Sequence, residues 1–168
     1  PEAIPYMLAK KNIDLFIKHS IFTEAEIHAR AEILLENYAK TIRIEGLCLA
    51  EMITKDLLPS ASAAASDLAA TIANKKMAGL DVEGTYELET IKKITALSTT
   101  LCQQTAGLEK ALAEAATVEG GEAIANYYHE NVFAAMLEIR TAADELETMI
   151  SEKYLTYPTY GQLLFGVN

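Results

Sequence analysis

At 168 residues and 18.3 kDa the chain is long enough to bury a core of its own, and its formal charge of −10 and pI near 4.8 make it strongly acidic. That balance speaks against a sequence-independent grip on nucleic acid, which needs a basic face to displace phosphate counterions, and against an anionic membrane surface. A composition that is 51% hydrophobic with four prolines and no tryptophan points to long helices around one core.

The first twenty residues carry Ile4, Leu8, Ile13, Leu15, Phe16 and Ile17 with Pro5 near the start, a pattern of one or two short helices. Thr23 to Glu26 has the form of a capping box, so a helix is expected from Glu24. Its apolar positions, Ile27, Leu34, Tyr38, Ile42, Leu49, Met52 and Ile53, recur at helical steps and predict one buried face. Pro59 lacks an amide donor and predicts a kink or break near Leu58. An Ala/Ser-rich helix from Ser60 to Met77 follows, with Gly79 as a left-handed cap.

Thr85 to Val118 holds the cleanest seam: Ile91, Ile94, Ser98, Leu101, Thr105, Leu108, Leu112 and Ala115 alternate in steps of three and four. After the turn at Glu119 to Gly121, a second seam runs through Ile124, Tyr128, Val132, Ala135, Ile139, Ala142, Leu146 and Met149. A three-residue loop makes these two an antiparallel hairpin. Tyr157-Pro158 is expected to break the last helix, and Tyr160, Leu163, Leu164 and Phe165 to form an apolar cluster packed back on the bundle. The fold class expected is therefore all-α: an antiparallel helical bundle of long helices with an apolar C-terminal tail, residues 1–168 making one helical domain.

Few residues promise chemistry. His19, His28 and His129 lack the Glu-x-x-His spacing of a di-metal bundle, and Glu24, His28 and Glu32 on one helix face read as surface ion pairs before they read as ligands. Cys48 and Cys102 lie far apart inside helical patterns and are expected to be reduced core thiols. No nucleophile elbow, Walker loop or dinucleotide fingerprint is present, so no catalytic, cofactor-binding or metal residue is assigned. The densest charged group is Arg140, Asp144, Glu145 and Glu147; it is either a solvated helix face or a docking contact. A first residue of Pro1 in place of methionine is what a piece of a longer chain would show, and without an apolar run of about 18 residues or a leader pattern the cytoplasm is the expected location.

The stretch Ile139-Arg140-Thr141-Ala142-Ala143-Asp144-Glu145-Leu146-Glu147, followed by Tyr157-Pro158-Thr159-Tyr160-Gly161-Gln162-Leu163-Leu164-Phe165, closely resembles the C-terminal end of type III glutamine synthetases. Asn12 to Phe16, Glu26 to Arg30, Tyr38, Ile44-Glu45 and Leu58-Pro59 match in order upstream, while Leu155 and Tyr157 stand where Trp and Phe are expected. The resemblance implies a parent enzyme that ligates ammonia to glutamate with ATP and a divalent metal, Mg or Mn, whose ligands lie in a preceding catalytic domain. It also implies that this segment alone is inactive and packs against that catalytic domain and neighbouring subunits of a homo-oligomer, with no nucleic acid or membrane partner. Arg140, Asp144, Glu145, Tyr157, Tyr160 and Phe165 are the candidate interface residues. The alternative, from a different class, is a free-standing helical adaptor, and a metal-binding bundle enzyme is a third.

Overall fold

A computed structural model describes residues 1–80 and 83–166, with the side chain of Tyr160 outside the described part. The described chain is all-α, with no strand among the described residues. It divides into two compact units, residues 1–48 with 108–136 and residues 49–107 with 137–168.

In the first unit, a 3-10 turn, Ile4–Leu8, leads into α1, Lys10–Lys18. Ser20 ends α1 in the left-handed region at φ 53°, with the Ile21 amide donating to the Phe16 carbonyl across 3.0 Å, the arrangement that usually calls for glycine. Helix α2, Glu24–Met52, starts where the capping box places it: the Thr23 amide donates to the Glu26 carboxylate at 2.7 Å, and the Glu26 amide donates back to the Thr23 hydroxyl at 3.3 Å. The Arg30 guanidinium lies 4.2 Å from the Phe22 ring centre, and Phe22 in turn tilts against Phe16, which ties α1 to the first turns of α2.

The face that α2 buries here is Ile27, Ala31, Leu35, Ala39, Ile42 and Gly46. Leu34, expected on that face, is 46% exposed. Small residues occupy half of the buried positions, and at Gly46 the reason is visible: a Cβ there would sit 3.3 Å from Val132 and 3.4 Å from Leu112. Glycine thus costs helix propensity but lets the neighbouring side chains approach the α2 backbone. Leu108 of helix α4, Thr85–Glu114, together with Ala125 and Val132, completes the core. Beyond a 3-10 turn, Ala115–Thr117, α5, Gly121–Tyr127, doubles back, and the Tyr127 hydroxyl donates to the Glu114 carboxylate at 3.1 Å across the turn. A π turn, Tyr128–Phe133, then joins α5 to α6, Ala134–Met149.

In the second unit the kink or break expected near Leu58 is not a break. The chain stays helical through a π turn, Ile53–Leu57, in which the Leu58 amide donates to the Ile53 carbonyl, and continues as α3, Leu58–Met77. A π turn carries an extra residue per loop, which widens the preceding turn and accommodates Pro59 without ending the helix. Gly79, at φ 75°, caps α3 as expected. Helices α3 and α4 run antiparallel: Ile72 faces Gly84, Lys75 pairs with Glu87, and at the other end Leu58 and Ser62 share a cleft with Ser98 and Cys102.

Ile94, Leu101, Ile139 and Leu146 are almost fully buried, so the two expected seams hold, and Thr105 is buried among them as a polar member. Cys48 and Cys102, in contrast, are exposed free thiols rather than core residues. Each sits a single position from a seam or apolar residue and is thereby turned about 100° away from it on the helix.

Candidate docking site

Helix α6 ends at Met149, eight residues before the Tyr157-Pro158 break expected of it. The cause is tertiary. The Ser60 hydroxyl donates to the Tyr154 carbonyl at 2.7 Å, the Tyr154 hydroxyl donates to Asp67 at 2.6 Å, and the Thr156 hydroxyl donates to Asp56 at 2.5 Å. These contacts draw the chain off the α6 axis through a 3-10 turn, Glu152–Tyr154, and lay it along α3 and the π turn before it. One residue on, the Tyr157 hydroxyl donates to Glu147 at 2.6 Å.

Three tail hydroxyls therefore donate to three carboxylates, and the electrostatics follow. The Tyr154 hydroxyl, with Lys153 3.6 Å away adding a smaller effect, holds the Asp67 carboxyl below its ordinary range. Burial first, and then the Glu147 carboxylate, push the Tyr157 hydroxyl far above its ordinary value, so it stays a proton donor at any physiological pH.

The candidate interface residues gather only in part. Asp144 and Tyr157 line a cleft of about 300 Å³ together with Met52, Glu147, Leu155 and Leu163. Arg140 and Asp144 form the expected pair one helical turn apart, with Arg140 Nε 3.5 Å from the carboxylate, while Glu145 is exposed and does not line the cleft. A short helix, α7, Tyr160–Phe165, starts on a second capping box: the Gln162 amide donates to the Thr159 hydroxyl, and the Thr159 amide donates to the Gln162 side chain. Leu163, Leu164 and Phe165 on it are 65%, 73% and 79% exposed, so the tail is packed back through Tyr154–Tyr157 and not through the expected cluster. The side chain of Tyr160, the sixth candidate, lies outside the described residues.

Asp56, Ser60 and Asp67 were not legible as partners of the tail, since they stand 87 to 100 residues from the hydroxyl or carbonyl they meet and no spacing rule joins them. His129 also gains partners: its Nδ1 is 2.9 Å from the Tyr38 hydroxyl, and its ring stacks on Phe133 at 5.8 Å. Among the described residues no three His, Cys, Asp or Glu side chains gather into one group, and His28 with Glu24 and Glu32 forms no such cluster.

The model of the glutamine synthetase C-terminal domain family matches residues 1–76. A glutamine synthetase of Butyrivibrio fibrisolvens is 43% identical over 171 residues, covering 99% of this chain and 24% of the relative. A type-3 glutamine synthetase of Dictyostelium discoideum is 25% identical and a glutamine synthetase of Bacteroides fragilis 26% identical, each over 98% of this chain and 23% of the relative. The chain thus spans about a quarter of the length of the curated relatives it matches. Residues 1–76 carry the pattern of the glutamine synthetase C-terminal domain family, and the whole length of the chain aligns with part of these glutamine synthetases, in agreement with the resemblance read from the terminal motif.

Proposed function

We propose that this chain is a non-catalytic structural and assembly domain of a glutamine synthetase, whose parent reaction ligates ammonia to glutamate at the expense of ATP. The observation that carries the reading is the pairing of a well-formed helical core with large apolar side chains left in solvent, Phe165 at 79% and Ile44 at 59% exposure among them, in a chain that spans 24% of its Butyrivibrio relative. Exposed apolar surface of this kind marks places where another protein body sits.

ATP and a divalent metal belong, on this reading, to the remainder of the parent. The residues here do not fit the metal: Asp56, Asp67 and Glu147 each already accept from a tail hydroxyl, and none is gathered with two further ligand side chains among the described residues. No helix of the described residues is long and apolar enough to cross a membrane, and the cytoplasm is the proposed location.

Deleting this segment from the full-length parent tests the proposal. Assembly, followed by sedimentation, should fail or the protein should lose solubility, with glutamine synthesis lost as a consequence. Intact oligomers turning over normally would contradict it. The adaptor reading has no observation in its favour beyond those that already serve the assembly role.

A further inference from the structure

We infer that the outward face of α2 in the first unit is the surface through which this domain docks onto the catalytic body of its parent, an inference that rests on the assembly role proposed above. The buried side of α2 is fixed by Ile27, Ala31, Leu35, Ala39 and Ile42. Ile33 and Ile44 stand eleven residues apart, about three helical turns, and Leu47 is three residues further, so all three fall along one line of the helix. Ile33 lies two positions from both Ala31 and Leu35, which places that line on the side opposite the core.

These residues are 54%, 59% and 46% exposed. Asn37 and the exposed Glu36–Lys40 ion pair share this side of α2, yet three large aliphatic side chains stand in solvent beside them, with the exposed Cys48 one turn beyond Ile44.

Charge and length select the occupant. A second copy of this chain would bring together two bodies each carrying a formal charge of −10. The relatives, by contrast, hold about three quarters of their length outside the part aligned with this chain, since the aligned part is 24% and 23% of them.

Cys48 supplies a probe that needs no substitution. Its alkylation by N-ethylmaleimide, read by mass spectrometry, should be slower by about tenfold or more in the full-length parent than in the 168-residue chain, because a covered thiol is shielded from the reagent. Both forms should react alike once unfolded in urea. A cysteine-to-amine cross-linker placed on Cys48 of the parent should capture lysines of the catalytic body. Equal native rates in the two forms, or cross-links running only to this same segment of another copy, would overturn the proposal. If deletion of the segment abolishes assembly while Cys48 reacts equally in both forms, this docking face is wrong and the assembly role stands.

Discussion

The Tyr157 hydroxyl donates to the Glu147 carboxylate across 2.6 Å, which joins the tail to the last turns of α6. Replacing Tyr157 by Phe keeps the ring and removes the donor. The expected loss is about 1 kcal/mol, the usual net worth of one hydrogen bond, and a melting point lowered by roughly 2–4 °C for a chain of this size. An unchanged melting curve would show that the ring alone fixes the tail.

Acid should destabilise the chain through its paired carboxylates. The Lys75 ammonium draws the Glu87 carboxyl below its ordinary 4.5, and the Thr23 amide does the same for Glu26. A carboxyl that titrates lower in the folded chain binds fewer protons there than when unfolded. Its stabilisation is therefore complete above the ordinary value and is lost as the pH falls through the folded one. Melting temperature should fall as the pH drops below 4.5, and Glu87→Gln should make that fall shallower while lowering stability at neutral pH. A Glu87→Gln chain with the parent's full acid dependence would remove Glu87 from this account.

Neighbouring leucines on α2 should respond oppositely. Leu35 is 7% exposed and Leu34 46% exposed. Leu35→Ala should cost about 2–5 kcal/mol, the price of a cavity, whereas Leu34→Ala should stay within about 0.5 kcal/mol in the 168-residue chain. Urea unfolding of the two variants measures both, and equal losses would mean that the buried face of α2 has been misplaced.

That pair also shows what the sequence reveals and what it hides. The seams of α4 and α6 were legible because their core positions are filled by large aliphatic residues, Ile94, Leu101, Leu108, Ile139 and Leu146, that contrast with polar neighbours. On α2 the contrast is blurred: the expected Ile27 and Ile42 are buried, but Ala31, Ala39 and Gly46 share their face while Ile33, Leu34, Ile44 and Leu47 are exposed, so large apolar residues alone outline the buried side incompletely. The capping box at Thr23 is a local device, so four consecutive residues suffice to reveal it. The π turns are local too, yet only the first has a sequence mark, Pro59, which predicts a kink or break without specifying a π turn. Of the candidate interface, Arg140 and Asp144 follow from helical spacing, whereas the tail clamps on Asp56 and Asp67 depend on the tertiary fold alone.

In the proposed role, these helices bury apolar stripes against each other and against a larger body and leave the ligation to the rest of the parent. Glutamine formation by the purified 168-residue chain, supplied with glutamate, ammonia, ATP and magnesium, tests it most directly. The expected result is no product above the protein-free background. Turnover by the chain unaided would contradict the account.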